Sequence, residues 1–365
     1  MSNAYVVTFG EIMGRLVPPG NLRLQQVMPG SLEFTFGGAE ANVAVSVSRL
    51  GLPARFVTAL PAGPLTEACR DELRGYGVDV SGIQITESGR FGLYFVERGA
   101  NQRPSTVTYD RDGTAVSIAP TSTYPWDDLF ADARWFHTTG ITPAISETAA
   151  EATLAAVKAA RARGVTVSID LNYRKKLWRW QPGTAPGTLA GNRMREILPF
   201  VDVLIGNEED AEDVLGIRAG ETKVESGKLE IEKYPDVAKQ IAGQFPNLKK
   251  IAITLRESFS ADHNNWGAML YDVASGTEVF APTVDGRYRP FEIRDIIDRV
   301  GGGDAFGAGL IRILAGEKNP TDENALSFAV AASCLAHSVT GDFNVTSFDE
   351  VMALVGGSGS GRVVR

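Results

Sequence analysis

Cysteine and histidine are scarce in this chain. Its 365 residues hold two cysteines, Cys69 and Cys334, and three histidines, His137, His263 and His337. The two thiols stand far apart, so neither a disulfide scaffold nor a structural zinc site is expected, and a reducing compartment fits. Each reads as a small buried core residue. The histidines have no metal-ligand spacing and no H-E-x-x-H occurs, so zinc-hydrolase chemistry is excluded. Basic excess is also missing. Lys and Arg number 36 against 44 Asp and Glu, a net charge of −8, which argues against nucleic acid or an anionic membrane as the main partner. No apolar run of about 18 residues occurs, so no transmembrane helix is expected. The opening MSNAYVVTFGEIMG has no basic segment followed by a long apolar one. A cytoplasmic protein without a secretory signal is the expectation.

Common nucleotide motifs are lacking too. No G-x-x-x-x-G-K-[ST] is present; SGKLE (226–230) lacks both the hydroxyl residue and the first glycine. The opening apolar run leads to GEIMG rather than G-x-G-x-x-G, which disfavours a dinucleotide site of that type. No repeat with a period of 20–50 residues is apparent.

What the chain does have is alternation of strands and helices. AYVVTFG (4–10), ARFVTAL (54–60), ARWFHTTG (133–140), VTVSIDLN (165–172), VDVLIGN (201–207) and KKIAITL (249–255) read as buried strands. Helices are expected at 39–50, 64–77, 146–164, 208–216, 236–245, 303–314 and 322–338. This rhythm implies an α/β fold, a mostly parallel central sheet covered on both faces. Residues 83–118 differ: GLYFVERG, STVTYDRDG and AVSI are short segments of antiparallel composition. With SLEFTF (31–36) they are expected to form a small separate sheet. The segments 179–192 and 256–266 read as loops or insertions, and 351–365, ending in GGSGSGRVVR, as a flexible Gly/Ser-rich tail.

Residues 298–306, DRVGGGDAF, carry the strongest chemical signal. Three successive glycines are costly to order, so a bare backbone must be needed there. Opening a helix, their N–H groups and the helix dipole make an anion site; a plain helix–helix turn is the alternative. Asp304 on the first turn is either a helix cap or a base that accepts a proton from an attacking hydroxyl. These residues alone leave both readings open.

Taken together the motifs resemble a known family. FGGAEANVAVSVSRLG (36–51) is similar to the N-terminal signature of the ribokinase-like (PfkB) sugar kinases, with Gly37, Gly38 and Asn42 at matching positions. DRVGGGDAFGAGLI (298–311) resembles the C-terminal signature D-[TS]-x-G-A-G-D-x-F, and NEED (207–210) resembles the N-x-x-E element between them. YDR (109–111), IDLNYRKKLW (169–178) and GDFN (341–344) look most like 2-keto-3-deoxygluconate kinases. In this chain Arg299 replaces the usual hydroxyl residue, Gly302 an alanine, Asp210 a glutamate, and Arg256 the glycine of T-x-G.

The resemblance implies a ribokinase-like α/β/α domain over 1–350, with a β-sheet lid from about 11–36 and 83–118. It implies ATP and Mg²⁺ as cofactors, with a monovalent cation as a further candidate. Asp304 would be the base, and the amides of Gly301, Gly302 and Gly303 would stabilise the transferring phosphoryl group. Gly37, Gly38, Asn42, Tyr94, Tyr109, Arg111, Asn172 and Arg174 would hold the sugar, the two arginines meeting a carboxylate. Asn207, Thr254, Arg256, Gly301, Gly303 and His337 would face the nucleotide, and Glu209 and Asp210 would hold magnesium through water. The partner is a small sugar or sugar acid, and a homodimer through the lid is expected. The near alternative is a kinase of a neutral sugar such as fructose or ribose. The distant one is a non-catalytic sugar- or nucleotide-binding regulator.

Overall fold

Val6 and Val7 are adjacent in the strand Tyr5–Phe9, point to opposite faces, and are both fully buried. That is possible only in a strand covered on both sides. A computed structural model describes residues 4–218 and 231–357; the SGKLE segment at 226–230 and the chain beyond 357 lie outside these. The main sheet runs, in spatial order, through Thr277–Ala281, His263–Asp272, Lys250–Ser260, Val203–Gly206, Thr166–Asp170, Ala133–Thr139, Tyr5–Phe9, Ala54–Pro61 and Ile83–Thr86. The seven strands from Lys250–Ser260 to Ile83–Thr86 are parallel. Those beyond Lys250–Ser260 are antiparallel, and Phe291–Ile293 also pairs with His263–Asp272.

Two apolar cores flank this sheet. One, with Val7, Phe9 and Phe136, packs against the helices Glu147–Ala162, Pro186–Ile197 and Tyr234–Gln244. The other, with Val6, Phe56 and Phe306, packs against Ala39–Arg49, Pro64–Gly75, Gly302–Gly316, Asp322–Ala336 and Phe348–Val355. The architecture is therefore three-layer α/β/α. Small residues let the buried helices approach closely. A methyl group on Gly309 would lie 2.8 Å from the Ala329 Cα of the neighbouring helix.

A second sheet of four strands, in the order Glu33–Gly37, Met13–Val17, Gly92–Glu97 and Thr106–Asp110, stands beside the main one. It is the expected lid sheet, with two corrections. Ile83–Thr86 joins the edge of the main sheet instead, and AVSI is the helical turn Ala115–Ile118. The lid has only a small core of its own: Met13, Val17, Tyr94 and Val96.

Three further expectations are corrected. The segment 256–266 is no loop but the outer half of a long hairpin formed by Lys250–Ser260 and His263–Asp272. Residues 179–192 contain the start of the helix Pro186–Ile197, where Pro186 needs no donor. The expected tail begins inside the helix Phe348–Val355, whose Val351 is fully buried. Ser347 and Glu350 cap that helix reciprocally.

Candidate active site

A cleft of about 380 Å³ opens beyond the carboxyl ends of the parallel strands, roofed by the lid sheet. This is where an open α/β sheet places its ligands. Gly301 leads into the helix Gly302–Gly316 with φ +85°. A methyl group there would overlap the Asp342 carbonyl. The positive φ and the close approach both require glycine. The first turn presents backbone N–H groups that have no acceptor within the helix.

Asp304 sits on that turn and faces the cleft. Asn42 Nδ2, from the helix Ala39–Arg49, donates to Asp304 Oδ2 at 2.7 Å, while Asn42 Oδ1 accepts from the Gly38 amide at 3.1 Å. Asn42 thus fixes the carboxylate and its own loop together. Burial pushes the Asp304 carboxyl up to about 7, with Asp342 and Glu40 adding to the effect; the Asn42 hydrogen bond works against it. Its side-chain hydrogen bond is to Asn42 rather than to a backbone N–H of its own helix. A carboxyl poised near neutrality, in a water-accessible cleft beside unpaired amides, is suited to proton transfer.

At one end of the cleft the lid contributes Tyr94, Tyr109 and Arg111. Tyr94 OH donates to Asp342 Oδ2 at 2.7 Å, and the Arg111 guanidinium lies over the Tyr109 ring, 5.1 Å from its centroid. Arg111 is buried and forms an ion pair with Glu11, itself buried in the cleft wall. Arg174 is exposed, donates to the Tyr173 carbonyl at 3.0 Å, and forms no ion pair among the described residues. Asn172 turns the chain into the cleft with φ +37°, an uncommon conformation outside glycine, held by its amide donating to Asp170 Oδ1 at 3.0 Å. Asp170 itself is driven far above the carboxylate range by burial and by the nearby charges of Asp210 and Asp304.

The other end is lined by Asn207, Glu209, Asp210, Thr254, Arg256, Trp266 and Arg299. Arg256 is exposed. Arg299 donates to Asn264 Oδ1 at 2.7 Å; burial, with Arg256 close by, lowers its affinity for a proton. Two cations at one end of a cleft form an anion-attracting wall. Asp210 accepts from the Tyr173 and Asn207 amides at 3.0 and 3.3 Å. It ties the 172–174 loop to the sheet, and burial raises it to about 6. Among the described residues no group of three or more Asp, Glu, His or Cys is arranged to hold a metal ion.

Most of the expected site residues therefore converge on one cleft: Gly38, Asn42, Tyr94, Tyr109, Arg111, Asn172, Arg174, Asn207, Glu209, Asp210, Thr254, Arg256, Gly301, Gly303 and Asp304. Three lie behind its wall. Gly37 backs onto the Tyr94 hydroxyl and Asp342. Gly302 is buried against the His337 ring. His337 is a buried histidine whose Nδ1–H donates to the Ser333 carbonyl at 2.7 Å, and burial lowers its pKa. Glu11, Glu40, Asp170, Arg299 and Asp342 line the cleft without having been expected to. Glu40 accepts from the Thr139 amide and from the Thr139 and Thr142 hydroxyls, which marks it as a structural tie.

The pfkB family carbohydrate kinase pattern matches residues 3–246. This chain belongs to the pfkB family. It is a carbohydrate kinase, an enzyme that transfers a phosphoryl group to a sugar hydroxyl. A 2-dehydro-3-deoxygalactonokinase from Haloferax volcanii is 35% identical over 359 residues, 98% of each chain. The crystal structure of a 2-dehydro-3-deoxygluconokinase from Thermotoga maritima superposes with a TM-score of 0.85 at 42% identity, covering 97% of this chain and 98% of that one. A Xylella fastidiosa fructokinase with bound ATP, 23% identical, shares the ribokinase-like fold with a TM-score of 0.74, covering 98% of this pfkB chain and 99% of its own. Kinases of this family use ATP. No helix among the described residues is long and apolar enough to cross a membrane.

Proposed function

We propose that this pfkB kinase phosphorylates the terminal hydroxyl of 2-keto-3-deoxygluconate at the expense of ATP. The observation that carries the proposal is the placement of Asp304. Its carboxyl, raised to about 7 and held by Asn42, lies at the mouth of a glycine-led helix, in the same cleft as Arg174, which forms no ion pair among the described residues. The substrate hydroxyl gives its proton to Asp304 as its oxygen bonds to the γ-phosphorus. The bond from that phosphorus to the β,γ-bridging oxygen breaks, and ADP leaves. The amides of Gly301, Gly303 and Asp304 face the charge that spreads over the equatorial oxygens. Arg256 and Arg299 supply positive charge at the nucleotide end.

Glu209 is an exposed carboxylate at the cleft, whereas both oxygens of Asp210 are engaged by backbone amides. A magnesium ion brought in with the phosphates would find Glu209 and Asn207 to hold its water shell. Bound there, it would neutralise phosphate charge. The sugar acid's carboxylate falls to Arg174, which is exposed at the cleft, whereas Arg111 is buried in a tight pair with Glu11; Asp170, Asp210 and Asp304 also feel the Arg174 charge. Tyr109 and Arg111 then close the sugar side under the lid. The Haloferax relative favours a second reading, the C4 epimer 2-keto-3-deoxygalactonate, through the same site. Exposed Leu22, Met28 and Phe34 at the lid suit pairing with a second copy.

An ATP-consumption screen across keto-deoxy acids, hexoses, pentoses and nucleosides tests the proposal. It predicts turnover with 2-keto-3-deoxygluconate or its C4 epimer well above that with any neutral sugar. Preferential turnover of fructose or ribose would refute it.

A further inference from the structure

Arg15 is one of the largest fully buried side chains in the protein, and it comes from the lid. Its strand, Met13–Val17, sits between Glu33–Gly37 and Gly92–Glu97, and Arg15 stands in register beside Tyr94. The guanidinium leaves the lid and reaches two loops of the main body. One amino group forms a tight ion pair with Asp298, and the other lies 3.1 Å from Asp342 Oδ1. The Tyr94 hydroxyl occupies Asp342 Oδ2. Arg98, also from the lid side, approaches Asp298 at 3.6 Å.

Both carboxylates belong to the machinery around Gly301. Asp298 accepts from the Val300 amide at 3.3 Å and from the Gly341 amide at 3.4 Å, and so shapes the turn that delivers Gly301. The Asp342 backbone lies directly against Gly301, and Asp342 lines the cleft. A single buried fork therefore touches the lid, the glycine turn and the facing loop. The lid's own apolar core is four residues with one further partly buried neighbour, and Phe36 adds an apolar anchor in the core of the main body, so packing between lid and body is thin beside the buried ion pairs of Arg15.

We infer that Arg15 is a positioning residue: its buried fork latches the lid sheet onto the Asp298 and Asp342 loops and so sets lid closure and phosphoryl-site geometry together. The inference rests on the kinase reading but not on the identity of the sugar. A closed lid keeps water from the transferring phosphoryl group. Loosening the latch lets a water oxygen replace the sugar hydroxyl, attack the γ-phosphorus and yield inorganic phosphate and ADP.

The test compares wild type with Arg15→Lys, Asp298→Asn and the double variant. Lysine keeps the charge but cannot engage two carboxylates as a planar fork. Hydrogen exchange should rise in 13–17, 92–97 and 298–304 together. The ratio of ATP hydrolysed to sugar phosphorylated should rise about tenfold. The double variant should lose less than the sum of the two single variants, as expected for residues that share one contact while each keeps others. Faster exchange spread over the whole sheet, with an unchanged hydrolysis ratio, would reduce Arg15 to a stability residue and overturn the inference. So would wild-type exchange and partitioning in Arg15→Lys. Wild-type inactivity on all sugar acids would refute the proposed substrate, while the exchange measurement would still decide the latch.

Discussion

Replacing Asp304 by asparagine should abolish turnover and, at the same time, make the folded protein more resistant to alkaline pH. Asparagine keeps the shape and can still meet Asn42, but it cannot accept the hydroxyl proton. General-base catalysis contributes about 10²–10⁴-fold, or roughly 3–5 kcal/mol of transition-state stabilisation. The stability effect has the opposite sign. The carboxyl stands at about 7 in the fold and near ~3.9 in the unfolded chain. Between these values the folded state binds the extra proton, so stability falls as pH rises through this window. The full deficit, at most about 4 kcal/mol, stands above the folded value; the open cleft side of the carboxylate reduces it. The Asp304→Asn variant carries no such deficit. The assays are ADP release with saturating sugar acid, and melting curves from pH 5 to 8.5. The variant's melting advantage should grow up to pH near 7 and then level off, and wild-type kcat/KM should rise over the same range. A residual kcat within tenfold of wild type, or a melting advantage that does not vary with pH, would refute the assignment.

Arg174→Ala should cost about 30- to 100-fold in kcat/KM for the sugar acid and little for fructose, as loss of a charge-assisted contact to an anionic ligand does; equal losses for both sugars would remove its carboxylate role. Gly301→Ala places a side chain at φ +85° and against the Asp342 carbonyl. Strain of about 1–2 kcal/mol, plus displacement of the loop, should lower both the melting temperature and kcat, and a fully active variant would show that this backbone position is not critical. Glu209→Gln should raise the Mg²⁺ concentration needed for half-maximal rate by several-fold and leave the sugar KM unchanged. An unaltered Mg²⁺ titration would take Glu209 out of the ion's surroundings.

The sheet and its helices were legible because most of the parallel strands are short apolar runs, and several lead into helices with their own stop signals. Where reading failed, the cause was local. Residues 256–266 span the outer part of a hairpin in which Phe259 is exposed and its neighbours are polar, and burial resumes only at Asn264 and Trp266; the buried alternation there is too short to read as a strand. AVSI is too short for any period to separate strand from helical turn. The helix at Phe348–Val355 did leave a signal, Ser347 three residues before Glu350 ahead of an apolar run.

At the site, residues that sit within one motif were visible, since GGGD, NEED and YDR each bring their own neighbours. Pairings across the chain were not. Nothing near Arg111 in the sequence announces that Glu11 neutralises it. Nothing near Asp298 or Asp342 announces Arg15. His337 falls in the expected helix 322–338 with a nucleotide-facing role implied by the resemblance, and only its packing against Gly302 and its bond to Ser333 show it to lie behind the cleft wall.

The most direct test of the account is a competition. Equal amounts of 2-keto-3-deoxygluconate and fructose are incubated with the enzyme, Mg²⁺ and limiting ATP, and the products are read by phosphorus NMR. The account predicts nearly all transferred phosphate on the sugar acid, its resonance split by the two protons of the terminal methylene. Phosphate found chiefly on fructose, or on a secondary carbon of the acid, would contradict it.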